Sequence, residues 1–185
     1  FGYNGEPTLN KNLLDFYTIT KDVRETMKWT SEKPKITIFT NSSTIYFQEI
    51  RNKLMKFDVV VAKLDAAINS DFQRTNQPHD AIPDIEVIID SLEKLKKIME
   101  ENKLAIQVLI YNSYKKDFLS NNNEENIEKL ALAIKKINPD IVQIYSIARI
   151  PAQYFVYSID NKRKKEIIKT FKEIINSDQI KIEYY

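Results

Sequence analysis

The apolar residues of the chain follow two spacings, one typical of strands and one typical of helices. Short apolar runs rich in β-branched residues predict buried strands at 36–39, 57–64, 104–111 and 141–147. Helical spacing predicts intervening helices at 10–28, 44–55, 69–76, 84–100, 124–137 and 161–176. The chain opens on a strand-like "FGY", and its alternating tail, 180–185, predicts an edge strand. The polar stretch 112–123 is typical of a loop.

The first predicted helix carries its apolar residues on one side, which predicts a buried face. These residues are Leu13, Leu14, Tyr17, Val23 and Met27.

Alternation of strands and helices indicates an α/β fold built from parallel β-α units. The strands are apolar on both faces, as a sheet covered by helices requires. A partial barrel and an open doubly wound sheet both fit this pattern. No repeat or linker divides the chain, so we expect one domain over 1–185. In either fold the chemistry gathers at the C-terminal ends of the strands.

Composition narrows the chemistry further. The chain has no cysteine and one histidine, His79, so it predicts no disulfide, no cysteine nucleophile and no thiolate or multi-histidine metal site. His79 lies in a polar turn, which predicts a surface position. With 28 basic and 26 acidic residues, the net charge of +2 does not predict nucleic-acid binding. No apolar run is long enough to cross a bilayer and no signal peptide is seen, so we expect a cytoplasmic protein.

Two strand ends carry polar residues next to a predicted helix. The first strand-like segment ends in Asn4, Gly5 and Glu6, where glycine permits positive φ and a carboxylate can accept hydrogen bonds from a ligand ammonium. The alternative is a turn whose glutamate caps an amide. The strand at 36–39 ends in the polar run 40–43, which either binds a polar ligand or caps the following helix.

A charged pair follows the third predicted strand. Lys63 and Asp65 are two residues apart, so both point to the same face of an otherwise apolar strand. They either form a structural ion pair or bind a ligand. Arg149 follows the strand at 141–147, where it either holds an anion or forms a surface salt bridge. The basic run 161–165 is typical of a solvated helix face, with nucleic-acid contact as the alternative.

Four motifs, taken in order, resemble the radical SAM (S-adenosylmethionine) enzymes, close to the wyosine-synthetase-like group. The motifs are NGEPTL at 4–9, TNSST at 40–44, KLDAAINSDFQRTNQPH at 63–79 and PDIVQIYSIARIPAQ at 139–153. The resemblance covers about residues 1–155. It implies a partial (βα)6 TIM-like barrel that here lacks its first βα unit.

The resemblance also implies two cofactors. In the family, a Cys-x3-Cys-x2-Cys segment on the missing first strand holds a [4Fe–4S] cluster, which reduces SAM and yields a 5′-deoxyadenosyl radical. The chain as given has no such cysteines, so alone it should be inactive. The resemblance assigns the SAM-binding residues by motif. Asn4, Gly5 and Glu6 would contact the methionyl amino group, Asn41, Lys63 and Asp65 would lie near the ribose or carboxylate, and Ile144, Tyr145 and Ser146 would line the adenine side.

Four positions depart from the family pattern. Ser42 replaces a glycine, Lys63 a serine, Gln77 an arginine and Ile150 a proline. The changes at positions 42 and 63 favour one competing interpretation, a non-catalytic paralogue that binds RNA or a partner protein. A second is an unrelated enzyme that uses Glu6 and Asp65 as acid and base.

The substrate stays open between tRNA, a peptide and a small molecule. A missing first strand would leave an unpaired sheet edge, which predicts aggregation or pairing with a missing N-terminal segment or another chain.

Overall fold

The computed structural model describes residues 5–185, so the strand predicted at the start of the chain and Asn4 lie outside the described residues. The helices are a short 3-10 turn at Pro7–Leu9 and α1 Leu13–Thr26, α2 Gln48–Leu54, α3 Asn69–Asn76, α4 Ile85–Ile98, α5 Glu124–Ile137 and α6 Asn161–Ile175. The strands are β1 Thr37–Thr40, β2 Val59–Lys63, β3 Lys103–Leu109, β4 Asn112–Ser113, β5 Ile141–Tyr145, β6 Val156–Tyr157 and β7 Lys181–Tyr184.

Five of the strands form one parallel sheet in the order β1-β2-β3-β5-β7. Each strand pairs with the next through a connection that contains a helix, so the predicted α/β class is confirmed. The predicted tail strand is also confirmed, because β7 adds to the sheet in parallel with β5. Among the described residues β1 has a neighbour on one side only.

The hydrophobic core lies on one face of this sheet. Ile38, Val60, Ile106 and Ile144 point to that face, are fully buried, and pack against the apolar sides of the helices. The opposite face carries Phe39, which is 44% exposed, and a row of polar residues, and we call it the open face. Among the described residues, the helices therefore pack against one face of the sheet, which of the two predicted alternatives favours the partial barrel.

Two helices show how the sequence sets their ends. α5 begins at Asn123, whose side chain accepts a hydrogen bond from the Asn126 amide, a typical N-cap. It ends at Asn138, whose φ of 53° is the left-handed conformation that asparagine tolerates. α6 is capped in the same way by Asp160 and ends at Asn176 with φ of 46°.

The buried face predicted for the first helix is confirmed for its first half only. Leu13 is buried, Leu14 is half-buried and Tyr17 packs on the Phe57 ring with centroids 4.9 Å apart, but Val23 and Met27 are each 51% exposed. Both line a groove of about 410 Å³ beside β1. The helical spacing was read correctly, but the sequence did not show what the helix packs against.

The polar segment 112–123 is more ordered than its composition predicted. It contains β4, which pairs antiparallel with β6 to form a two-stranded ribbon beyond the ends of β3 and β5. Exposed Tyr114, Tyr154 and Tyr157 lie on this ribbon. Within residues 5–185, no helix combines the length and the apolar character that crossing a membrane requires.

Candidate functional site

The C-terminal edge of the sheet brings together the residues predicted to bind a cofactor. Glu6 lies beside the end of β1, Lys63 ends β2, and Tyr145 ends β5. The side-chain hydroxyl of Ser42 donates a 2.8 Å hydrogen bond to the carbonyl of Lys63, which joins the first two strand ends. Asn4 is the one predicted binding residue outside the described part of the chain.

The Glu6 carboxylate connects the turn at the start of the chain to β1. Its Oε1 accepts hydrogen bonds from the Thr8 amide at 3.1 Å, the Thr8 hydroxyl at 2.6 Å and the Thr40 hydroxyl at 2.9 Å. Its Oε2 accepts from the Asn41 amide at 2.6 Å. The turn reading is thus confirmed as far as Glu6 caps the Thr8 amide. Because Oε2 has one described partner, it retains a lone pair for a ligand cation.

Two backbone positions next to Glu6 are left-handed. Gly5 has φ of 87°, and a Cβ built there would meet no atom within 4 Å, so glycine is needed here for its backbone conformation alone. Ser42 has φ of 67°, a conformation that costs a non-glycine residue about 1–2 kcal/mol. The glycine expected at position 42 therefore has a steric reason.

The polar run 40–43 does not cap α2, so that alternative is wrong. The helix begins at Gln48, and within the described residues no side chain caps its first turn. Instead the Thr40 hydroxyl accepts from the Ser42 amide at 3.1 Å, and the Asn41 side chain accepts from the Ser43 amide at 2.9 Å. The run builds a tight turn that presents Asn41 to solvent.

Lys63 lies on the open face between an acid and a phenol. Its Nζ donates to the Tyr145 hydroxyl at 2.5 Å and lies 3.4 Å from Asp65 Oδ2. Burial opposes its charge, but Asp65 and Tyr145 outweigh burial and raise the pKa of Lys63 above its ordinary value. Burial raises the pKa of Tyr145, which Lys63 partly offsets. At neutral pH the pair is therefore an ammonium and a neutral phenol.

Asp65 is held as a structural carboxylate. Its side chain is 3% exposed, and its Oδ1 accepts from the Leu109 amide at 2.8 Å. Its Oδ2 accepts from the Asn76 side chain at 3.1 Å and faces Lys63. The structural ion pair predicted for Lys63 and Asp65 is confirmed. With both oxygens engaged and buried, Asp65 is poorly placed to serve as the acid or base of an unrelated enzyme.

Two buried asparagines that the sequence analysis missed support this edge. Asn121 is fully buried, donates to the carbonyls of Asp65 and Leu109 at 2.9 and 2.7 Å, and accepts from the Tyr111 amide at 3.0 Å. Asn126 is also fully buried and donates to the Asn121 carbonyl at 2.9 Å. Nothing in the polar sequence 112–126 distinguishes these two from their exposed asparagine neighbours.

The residues predicted on the adenine side divide into two kinds. Tyr145 is half-buried and reaches the open face. Ile144 is fully buried in the core, so its side chain points away from the open face. The Ser146 hydroxyl donates to the Ile110 carbonyl at 2.7 Å and accepts from the Ile159 amide at 3.0 Å, so it is committed to the fold.

Three other predicted positions lie on the surface. His79 is exposed, as expected, and its Nδ1 accepts from the Ala81 amide at 3.1 Å. Arg149 is exposed and makes no ion pair with the described residues, so the salt-bridge alternative is wrong. The basic run at 161–165 opens α6 and is largely solvated.

The donor set fits one of the two implied cofactors. Glu6 and Lys63 offer opposite charges at neighbouring strand ends, which match the ammonium and carboxylate of a methionyl group. The set does not fit an iron–sulfur cluster, since the chain has no cysteine. Residues 5–185 also contain no group of three or more His, Cys, Asp or Glu side chains that could hold a metal ion.

The fold of the chain is that of the TIM-like core of radical SAM enzymes. A domain of pyruvate-formate lyase-activating enzyme from Bacteroides vulgatus superimposes with a TM-score of 0.68 over 98% of this chain and 95% of that domain. SuiB from Streptococcus suis, solved with S-adenosylmethionine, gives 0.64 over 98% of this chain and 38% of its own. At 13% and 14% identity these likenesses concern the fold alone.

The sequence relatives share more identical residues with this chain than the solved structures do. The UPF0026 protein MJ1312 of Methanocaldococcus jannaschii is 27% identical over 98% of this chain and 51% of its own length. GTPase Obg of Brachyspira hyodysenteriae is 26% identical over 92% of this chain and 23% of its own. The chain thus spans about half or less of the curated relatives it matches. No family model matches the sequence.

Proposed function

We propose that this chain is the S-adenosylmethionine-binding part of a radical SAM enzyme. The proposal is carried by one observation: a half-buried carboxylate, Glu6, and a half-buried ammonium, Lys63, lie at neighbouring strand ends of a radical SAM-type sheet. Active sites of such parallel α/β folds lie at this edge.

Each residue at the edge has a role in binding the methionyl group. Glu6 accepts a hydrogen bond from the ligand ammonium through the free lone pair of Oε2, while Thr40 and the Asn41 amide fix its orientation. Lys63 pairs with the ligand carboxylate. The Tyr145 hydroxyl accepts a hydrogen bond from Lys63 and holds the Lys63 ammonium at the open face. Asp65 keeps Lys63 charged and joins β2 to β3, so it is a positioning residue.

The cluster would be held by cysteines outside this chain. SAM and the cluster together supply hydrogen-abstraction chemistry, and the residues described here orient SAM for it. The site assignments, the single domain over 1–185 and kinship with the wyosine-synthetase-like group are part of this proposal. The substrate is a peptide, tRNA or a small molecule. The neighbour SuiB, which has been solved with its precursor peptide SuiA, favours a peptide.

Formation of 5′-deoxyadenosine by the full-length protein tests this function. Under reducing conditions the wild type should release it from SAM, and Glu6→Gln should lower the rate about tenfold or more, as expected for a lost charge-assisted hydrogen bond. Glu86→Gln, at an exposed position on α4, is the matched control and should leave the rate unchanged. A protein that holds its cluster and forms no 5′-deoxyadenosine would contradict the proposal.

A second function is favoured by the hydrogen bonds of Glu6 and Ser146. Both side chains bond to other residues of this chain and so stabilise the fold, whether or not a ligand binds. In that case the chain belongs to a non-catalytic paralogue that retains the barrel as a binding module. The same experiment separates the two, because the paralogue would form no 5′-deoxyadenosine in any variant.

A further inference from the structure

A row of four polar side chains crosses the open face of the sheet. The strand register aligns Lys63 with Gln107, Gln107 with Gln143, and Gln143 with Glu183. The row two residues earlier is apolar on its first four strands, with Phe39, Val61, Ala105 and Ile141. Lys63 belongs to the proposed SAM site, but Gln107, Gln143 and Glu183 have no role in it.

The two glutamines have hydrogen-bonding capacity to spare. Gln107 Nε2 donates to Gln143 Oε1 at 3.3 Å, and Gln143 also interacts with Glu183. Among residues 5–185, no group donates a hydrogen bond to Gln107 Oε1. Removing a carboxamide from water costs free energy unless its polar atoms form hydrogen bonds, so these half-buried side chains would gain from a hydrogen-bonding ligand. Together they present an acceptor and donors, the groups that a backbone amide complements.

A cleft of about 390 Å³ opens over these glutamines. Its walls are aromatic, with Phe39 on one side and Tyr145 and Tyr185 on the other. Aromatic walls with a few placed polar groups are typical of ligand pockets.

One carboxylate that a ligand can reach borders the cleft. Among the described residues no charged side chain lines the cleft itself. Glu183 adjoins it, with its side chain 22% exposed, and accepts a 2.7 Å hydrogen bond from the Tyr185 hydroxyl. Its other oxygen pairs with Lys181, whose side chain is 70% exposed, so a ligand cation can displace Lys181 at little cost. The nearby Lys63 ammonium is engaged by Asp65 and the Tyr145 hydroxyl. The lining therefore offers a phosphate backbone no cationic partner, and this argues against RNA as the occupant.

We propose that this cleft is a substrate subsite for a peptide segment that carries a basic side chain. Gln107 and Gln143 bind the peptide amide, the aromatic walls cover its faces, and Glu183 pairs with the basic group. This inference rests on the proposed function for its link to catalysis, but binding at the cleft requires neither SAM nor a cluster.

Capped tripeptides test the subsite in the full chain. The probes are acetyl-Gly-Lys-Gly-amide and acetyl-Gly-Glu-Gly-amide, with a short uridine oligonucleotide as the nucleic-acid probe. The readout is the NMR signals of the Gln107 and Gln143 side-chain NH2 groups. Both peptides are titrated, and the affinity is taken from the shifts of the two signals. The lysine peptide should bind at least tenfold more tightly than the glutamate peptide, and the oligonucleotide should leave the signals unchanged.

Two substitutions give the inference its sharpest test. Glu183→Gln should weaken binding of the lysine peptide about tenfold. Lys181→Ala should strengthen that binding several-fold, because the substitution removes the internal competitor for Glu183. The matched controls are Glu173→Gln and Lys169→Ala, from an exposed pair on α6 with 3.7 Å between charged atoms. Both should leave the affinity unchanged.

Three results would overturn the inference: no shift with the lysine peptide, equal affinity for both peptides, or a shift with the oligonucleotide. Loss of 5′-deoxyadenosine formation with peptide binding intact would instead count against the proposed function alone.

Discussion

At the scale of single residues, Asp65 does most to hold the site together. Its buried carboxylate accepts from the Leu109 amide and from Asn76, and it pairs with Lys63. Asp65→Ala leaves a half-buried ammonium without its partner, so we expect the free energy of unfolding to fall by about 3–5 kcal/mol. Urea unfolding measures this. Asp117→Ala, at a side chain 73% exposed, should change it by less than about 0.5 kcal/mol. A loss at Asp65 as small as that would contradict the structural role.

Ser42 allows backbone strain to be measured directly. Ser42→Gly relieves the positive φ but loses the hydrogen bond to Lys63, so the two effects of about 1 kcal/mol each should nearly cancel. Ser42→Ala keeps the strain and loses the bond. We expect the glycine variant to be about 1 kcal/mol more stable than the alanine variant in urea unfolding. An alanine variant of equal or greater stability would show that the backbone here is unstrained.

The raised pKa of Lys63 predicts that its contribution to the free energy of unfolding depends on pH. Because the pKa of Lys63 in the fold lies above its unfolded value, its contribution to stability is fully present below the unfolded pKa of about 10.4 and is lost as pH rises through the folded value. The difference in unfolding free energy between wild type and Lys63→Met should therefore be constant from about pH 6 to 9 and shrink above about pH 10.4. Lys103→Met is the exposed control. A difference that already shrinks between about pH 7 and 9 would mean that burial lowers the pKa instead.

The residues of the site were predictable only in part. Glu6, Lys63 and Asp65 follow recognisable strands, and strand ends meet at one edge, so sequence alone places them together. Asn121 was not predictable, because its burial depends on how the loop after β3 folds back over Asp65. The burial of the Ile144 side chain in the core was also not predictable, because a motif match does not say which way a side chain points.

At the scale of elements, the segment between β3 and α5 decides whether the site edge is rigid. Asn121→Ala would leave the Tyr111 amide and the carbonyls of Asp65 and Leu109 without their partner. We expect a loss of about 2–4 kcal/mol in unfolding free energy, since each unsatisfied buried group costs about 1–3 kcal/mol. Asn52→Ala, at an exposed position on α2, is the control and should be nearly neutral. Equal stability of the two variants would show that Asn121 is dispensable.

Element types were read well from the sequence, and their surroundings less well. α5 and α6 were predicted closely because asparagine and aspartate mark their ends. The second half of α1 was misread because Val23 and Met27 line an open groove beside β1 and are not covered by another described element. The unpaired edge expected from a missing first strand falls at the strand-like start of the chain, which lies outside the described residues. The β4–β6 ribbon was missed because strands of two residues carry no periodicity.

At the scale of the whole molecule, the two faces of the sheet differ, because one carries the hydrophobic core and the other carries the residues proposed to bind ligands. The helix-covered face holds the core, and the open face holds Lys63, the glutamine row and the cleft. The alternation of strands and helices predicted the parallel sheet. It could not choose between a barrel and an open sheet, because both have the same period, and the likeness to solved radical SAM enzymes decides for the barrel type.

We propose that Lys63 binds the carboxylate of SAM at the edge of this sheet. The most direct measurement compares the affinities of SAM and decarboxylated SAM for the full-length protein by calorimetry. The wild type should prefer SAM, and Lys63→Met should reduce that preference about tenfold, while Lys103→Met leaves it intact. A preference that survives unchanged in Lys63→Met, or a wild type that binds neither ligand, would contradict the claim.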